Sequence, residues 1–122
     1  MPLRVSLTDD DRTTLFLVER LLKQTFPEAE VACFDCPLKA FEHIRFKGTD
    51  ALITDHGMGP MTGTELIQHL RAENVRIPIV MISNNADAAV EARAAGADDF
   101  VDKGNITRLG EVLSGLLILK PQ

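Results

Sequence analysis

The feature of this sequence that most constrains its fold is a regular alternation of short apolar runs with longer amphipathic segments. The apolar runs are typical of strands, and the segments between them carry apolar residues at helical spacing. Because this alternation is typical of repeated βα units, we predict an α/β domain whose strands form one parallel sheet. The predicted strands are residues 3–8, 31–34, 51–54, 79–82 and about 99–101.

Residues that begin and end helices divide the segments between these strands. Proline favours the first turn of a helix, glycine commonly follows the last turn, and T-x-x-E is a capping-box pattern. These signals predict five helices: one that Asp11 caps and that ends near Phe26, one from Pro37 to Gly48 with Leu38, Phe41 and Ile44 on one apolar face, one after Thr62 and Glu65, one from Asp87 to Gly96, and one from Asn105.

Length and composition indicate one soluble domain over residues 1–122, with 45% hydrophobic and 25% charged residues. A formal net charge of -5 without a basic stripe argues against direct contact with nucleic acid. The apolar stretch 112–119 is too short to span a membrane, and Asp9 to Asp11 interrupt the place of a signal-peptide core. We therefore expect a cytoplasmic domain without membrane contact.

Two cysteines, Cys33 and Cys36, have the C-x-x-C spacing of redox pairs and of half zinc sites. Zinc would need two further ligands, and the three histidines are scattered singly along the chain. Incidental packing of the two thiols is the favoured interpretation, because free cysteine is commonly buried.

Polar residues follow the predicted strands at their carboxyl ends, where open α/β sheets bind ligands. Asp9 and Asp10 follow the first strand, Asp55 the third and Ser83 the fourth, and Lys103 comes just after the fifth. Clustered carboxylates repel one another unless a cation neutralises them, and hard oxygen ligands suit Mg²⁺. One carboxylate could then attack a phosphoryl group while the lysine and the serine donate to its oxygens. The sequence therefore predicts a metal-dependent phosphoaspartate site.

Four segments together resemble the receiver domain of bacterial two-component response regulators: L-T-D-D-D at 7–11, I-T-D at 53–55, M-I-S at 81–83 and F-V-D-K at 100–103. The resemblance extends over essentially the whole chain. It implies a flavodoxin-like, doubly wound, five-stranded parallel sheet of order 2-1-3-4-5 with five helices. It also implies a signalling domain rather than an enzyme, one that assists its own phosphorylation and dephosphorylation.

The resemblance implies that Asp55 is the phosphoacceptor, and it also implies which protein donates the phosphoryl group. The phosphoryl group would come from the phosphohistidine of a sensor histidine kinase or of a phosphotransfer protein. Asp9, Asp10 and Asp55, with the backbone carbonyl of Gly57, would hold Mg²⁺.

Three further residues match the switch of such domains. Ser83 resembles the hydroxyl that turns toward the phosphoryl group, Lys103 the lysine that pairs with it, and Phe100 the aromatic residue that changes rotamer. The implied output is a changed surface on helix 4, strand 5 and helix 5, which a downstream effector domain or protein would read.

Three residues depart from the common receiver pattern. Pro60 lies one place later than usual, Asn84 replaces a small residue, and Gly104 replaces the proline that usually follows the lysine. A cis bond before a residue other than proline costs about 2.5–4 kcal/mol, so we predict a trans bond between Lys103 and Gly104. The freedom of glycine would also leave Lys103 imperfectly placed before phosphorylation.

Two alternative functions remain open on the sequence. A degenerate receiver that acts only as a protein-docking module is favoured by Asn84 and Gly104. A phosphatase with an aspartyl nucleophile would need a second acid two residues after Asp55, where Gly57 stands.

Overall fold

The computed structural model describes residues 2–57 and 59–119; Met1, Met58 and residues 120–122 of the predicted domain lie outside the described residues. The strands are β1 (Arg4–Thr8), β2 (Glu30–Phe34), β3 (Ala51–Asp55), β4 (Ile79–Ser83) and β5 (Asp99–Asp102). The helices are α1 (Arg12–Thr25), α2 (Pro37–Lys47), α3 (Gly63–Ala72), α4 (Ala88–Ala95) and α5 (Leu109–Leu119), and a 3₁₀ helix (Lys103–Arg108) precedes α5. The alternation of strands and helices predicted from the sequence is confirmed.

The strands form one parallel sheet of order β2-β1-β3-β4-β5, as the resemblance implied. β1 pairs with β2 on one side and with β3 on the other, and Thr8 is in register with both Phe34 and Thr54. The direction of winding therefore reverses between β1 and β3. The carboxyl ends of these two strands lie side by side at the reversal, which is where an open α/β sheet leaves a crevice.

Alternate residues of the strands pack against helices on opposite faces of the sheet. Ile53 of β3 belongs to a buried cluster with side chains of α1 and α5, whereas its neighbour Leu52 packs with α2, α3 and α4. β4 alternates in the same way, with Val80 on the first face and Met81 on the second. Because both faces are covered, these strands read as continuous apolar runs in the sequence.

Helix caps follow the predicted signals. The side chain of Asp11 accepts a hydrogen bond from the Thr13 N–H and begins α1. Thr62 and Glu65 form both hydrogen bonds of a capping box at the start of α3. Gly96 takes a left-handed conformation, φ 118°, and ends α4. No helix in the described part of the chain combines the length and the apolar character that crossing a membrane requires.

The predicted start of the last helix, Asn105, is wrong. Asn105 has non-helical dihedral angles, φ -117° and ψ 29°, and α5 begins at Leu109. The Asp102 carboxylate accepts the Gly104 N–H at 2.7 Å and starts the tighter 3₁₀ turn instead. Glycine and asparagine are weak helix formers, so the α-helix begins only where Leu109 becomes fully buried.

The predicted apolar face of α2 is only partly correct. Ala40 and Ile44 are buried, and Phe41 is partly buried against them, but Leu38 is 49% exposed. Ala40 and Ile44 are four residues apart and share one face of α2, and this face packs against the sheet. Leu38 lies in the first turn, at the edge of the sheet that carries the carboxyl ends of the strands.

Candidate functional site

Three aspartates converge at the carboxyl ends of β1 and β3. Asp9 follows the last residue of β1, and Asp55 is the last residue of the neighbouring β3. Carboxylate oxygens of Asp9, Asp10 and Asp55 all lie within 4.8 Å of one another. The parallel register thus brings together residues that are separated in the sequence by α1, β2 and α2.

Asp9 is the buried member of this acidic trio (Asp9, Asp10 and Asp55), with a relative exposure of 2%. Its Oδ1 accepts the Asp11 N–H at 2.8 Å. Its Oδ2 lies 3.0 Å from the Nζ of Lys103, an ion pair without the alignment of a hydrogen bond, so this buried oxygen has no hydrogen-bond partner among the described residues. Burial raises the pKa of Asp9, although the Asp11 N–H and the Lys103 ammonium oppose the shift.

The acidic trio fits a divalent cation. Three carboxylates this close repel one another, and Asp9 Oδ2 has only the Lys103 ion pair and no aligned hydrogen bond among the described residues, so a divalent cation would lower the cost of the arrangement. The donors are all hard carboxylate oxygens, two of them on partly or fully exposed side chains that leave room for water, which suits Mg²⁺.

Lys103, just after β5, supplies positive charge to the acidic trio. Its Nζ lies 3.0 Å from Asp9 Oδ2 and 3.5 Å from Asp55 Oδ1, and its side chain is 18% exposed. Burial by itself would lower the pKa of Lys103, but the two carboxylates outweigh it and the pKa is raised. In the structure Lys103 pairs with both carboxylates, and the Asp102 side chain accepts the Gly104 N–H at 2.7 Å; that glycine leaves this lysine imperfectly placed before phosphorylation stays a prediction. The Lys103–Gly104 bond is trans, as predicted.

The other predicted site residues lie on β4, on β5 and in the loop after β3. Ser83 is buried one place beyond Ile82, the residue in register with Asp55, and its Oγ accepts the Asn85 N–H at 3.0 Å. Phe100 is partly buried and packs on the α2, α3 and α4 side of the sheet. Gly57 has a left-handed φ of 64° and lines a cavity beside the trio.

Gly63 is a residue of the site that the sequence analysis missed. Its N–H donates to the His56 carbonyl at 2.6 Å, and a Cβ added to it would overlap the carbonyl oxygen of Asp55. The start of α3 therefore lies directly against the backbone of the central carboxylate. A glycine in the first turn of a helix, where glycine is unfavourable, was the signal that could have found it.

Comparisons with known proteins agree with this geometry. The family model described as response regulator receiver domain matches residues 5–113. The transcriptional regulatory protein ZraR of Klebsiella oxytoca is 30% identical over 101 residues, which are 81% of this chain and 22% of ZraR. The cell cycle transcriptional regulator CtrA of Caulobacter vibrioides is 27% identical over 103 residues, 83% of this chain and 44% of CtrA. The chain thus spans less than half the length of these relatives.

Solved structures share the fold. The signal receiver domain of a putative Luxo repressor protein from Vibrio parahaemolyticus has a TM-score of 0.86 at 20% identity, with 98% of this chain and 92% of that chain covered. The chemotaxis protein CheY4 of Vibrio cholerae has a TM-score of 0.84 at 24% identity, with 96% and 100% covered.

Proposed function

Because this chain belongs to the response regulator receiver domain family, we propose that it accepts a phosphoryl group on Asp55 in a Mg²⁺-dependent reaction. The observation that supports this most is the convergence of the acidic trio with the Lys103 ammonium, which lies 3.5 Å from Asp55. A carboxylate among like charges and one cation is suited to bind a phosphoryl group once a metal offsets the repulsion.

In the proposed reaction, a carboxylate oxygen of Asp55 attacks the phosphorus of a phosphohistidine on a sensor histidine kinase or a phosphotransfer protein. The bond from phosphorus to the imidazole nitrogen breaks, and the nitrogen keeps the electron pair. When bound, Mg²⁺ supplies charge neutralisation and orientation to the phosphoryl oxygens. Asp9, Asp10, Asp55 and the Gly57 carbonyl would hold it. The ion pairs with Asp9 and with Asp55 itself keep the Lys103 ammonium beside the accepting carboxylate.

The proposed switch starts from Ser83 and Lys103. Ser83 Oγ accepts the Asn85 N–H but keeps its own O–H to donate, so it can turn toward a phosphoryl oxygen on Asp55. β4 and β5 are in register at Ser83 and Asp102, so movement of Ser83 reaches the strand that carries Phe100. A change in Phe100 would alter the surface of α4, β5 and α5, which an effector domain or protein would read.

Incubation with acetyl phosphate and Mg²⁺, followed by intact mass spectrometry, tests the proposal. We expect a stable adduct of one phosphoryl group that Asp55→Asn abolishes. Asp87→Asn is the matched control, because Asp87 is exposed and its side chain makes no capping hydrogen bond. Rapid release of inorganic phosphate without an adduct would indicate a phosphatase, and neither adduct nor turnover would indicate a docking module; both results overturn the proposal.

A further inference from the structure

A second cavity, of about 200 Å³, lies at the amino-terminal ends of β1 and β2, beside the carboxyl-terminal half of α2. Basic side chains line it: Arg4 on β1, and His43 and Lys47 on α2. Glu30, at the start of β2, is the acidic side chain of the lining. The acidic trio lies at the opposite, carboxyl ends of the strands, so this cavity is separate from the phosphorylation site. The chain has a net charge of -5, so this group of basic side chains is not a general property of its surface.

The two permanent cations of this cavity have no carboxylate partner. Nη1 of Arg4 donates to the Lys47 carbonyl at 3.0 Å, which holds the guanidinium against the end of α2. Among the described residues, neither the Lys47 ammonium nor the remaining N–H groups of the Arg4 guanidinium make a hydrogen bond or an ion pair. The Asp50 carboxylate accepts the backbone N–H of Arg4 instead, at 2.8 Å. An unpaired guanidinium and an unpaired ammonium that line one cavity are suited to bind an oxyanion.

A buried hydroxyl adds a further donor to the cavity. Ser6 lines it and is 1% exposed, and its Oγ donates to Thr49 Oγ1 at 2.9 Å. Thr49 Oγ1 in turn lies within hydrogen-bond distance of the Arg4 and Ala51 carbonyls, so its own proton is engaged there. Because a serine hydroxyl rotates, Ser6 can donate to an oxygen atom of a ligand instead.

His43 reports the electrostatic potential inside the cavity. Its ring packs against Phe34 with 5.0 Å between the ring centroids. Burial lowers the pKa of His43, and the charges of Lys47 and Arg4 lower it further, with no carboxylate of the described residues opposing them. The potential at the imidazole is therefore positive despite Glu30. An anion bound beside this ring would favour its protonated form, in which both ring nitrogens are donors.

We propose that this cavity binds a small phosphate monoester, whose dianionic group accepts hydrogen bonds from Arg4, Lys47 and Ser6. Guanidinium, ammonium, imidazole and hydroxyl donors match the three terminal oxygens of such a group better than the two oxygens of a carboxylate. A cavity of about 150 Å³ holds benzene. The present one, of about 200 Å³, therefore accommodates a phosphate group with a short carbon chain. The inference is independent of the proposed function, because it involves no residue of the acidic trio.

Titration calorimetry with glycerol 3-phosphate in the presence of EDTA tests the proposal. Without a divalent cation the acidic trio repels anions, so it does not contribute to binding. We expect a dissociation constant on the order of 1 mM, which Arg4→Gln and Lys47→Gln should each raise about tenfold because each removes a charge-assisted hydrogen bond. Arg108→Gln is the matched control, since Arg108 is exposed, has no ion pair among the described residues and lies outside the cavity. Glycerate, which carries a carboxylate in place of the phosphate, should bind severalfold more weakly.

Proton NMR of the histidine rings gives a second readout that does not depend on the arginine and lysine variants. Saturating glycerol 3-phosphate should raise the pKa of His43, whose signals His43→Gln identifies, and should leave the ring signals of the other two histidines unchanged. Lys47→Gln remains a valid test even if Arg4→Gln loosens the end of α2, because the Lys47 ammonium holds no described residue in place. Equal affinity of Lys47→Gln and Arg108→Gln, equal binding of glycerate, or an unchanged titration of His43 would overturn the inference.

Discussion

Gly63→Ala probes how closely α3 supports Asp55. The added Cβ would overlap the Asp55 carbonyl oxygen and lie 3.0 Å from both the Asp55 carbonyl carbon and Thr54 Oγ1, and the two backbone atoms cannot rotate away. Overpacking costs about 1–3 kcal/mol, while the higher helix propensity of alanine offsets about 1 kcal/mol. We expect the free energy of unfolding to fall by up to about 2 kcal/mol. A displacement of Asp55 by roughly 1 Å should slow phosphorylation about 100-fold.

Urea denaturation and the initial rate of phosphorylation by acetyl phosphate with Mg²⁺ measure the two effects separately. Gly115→Ala is the first control: nothing lies within 4 Å of its added Cβ in α5, so it should stabilise the chain by up to about 1 kcal/mol without changing the rate. Gly110→Ala meets the Thr25 side chain far from the site and should lower stability alone. Wild-type phosphorylation by Gly63→Ala, or an equal loss of rate in Gly110→Ala, would refute the reasoning.

Two further predictions concern the metal and the thiols. Asp10→Ala should weaken Mg²⁺ binding about tenfold or more in titration calorimetry, whereas Asp11→Ala removes only the cap of α1; equal affinity of the two variants would contradict the metal assignment. Burial and the Glu19 carboxylate, 3.4 Å from Sγ, raise the pKa of the Cys33 thiol to about 11. Because only the thiolate is alkylated, iodoacetamide should label Cys33 slowly at pH 8 and faster as the pH rises toward about 11; a labelling rate of Cys33 that does not change between pH 8 and pH 11 would disprove this.

The sequence predicted well those parts of the fold that short-range signals determine. Thr62 with Glu65 and Gly96 mark helix ends by hydrogen bonds and backbone conformation within a few residues. Leu38 and Asn105 were misassigned because their states depend on distant partners. Helical spacing places Leu38 on the same face of α2 as buried residues. It does not show whether the sheet extends far enough to cover the first turn of the helix, where Leu38 lies. The 3₁₀ turn at Asn105 depends on which N–H the Asp102 side chain accepts.

For the site, the strand-end pattern was sufficient to predict that Asp9, Asp10 and Asp55 converge, because parallel neighbours align their carboxyl ends. It could not predict how deeply each residue is buried. The burial of Asp9 Oδ2 without an aligned hydrogen bond, and the contact of Gly63 with the backbone of Asp55, follow from the packing of α3 and of the loops, which no local pattern encodes.

The reversal of winding between β1 and β3 sets the function of this chain against its stability. The carboxylates of Asp9 and Asp55 meet only when both strands are in register, so their mutual repulsion and the burial of Asp9 destabilise the folded chain but not the unfolded one. The rest of the fold therefore stabilises a group of carboxylates that by itself lowers the free energy of unfolding, a trade-off common at functional sites. A cation bound there at 100 times its dissociation constant would add about 2.7 kcal/mol to the folded state. On this reasoning, the stability of the folded chain rises with the concentration of a divalent cation that binds the acidic trio.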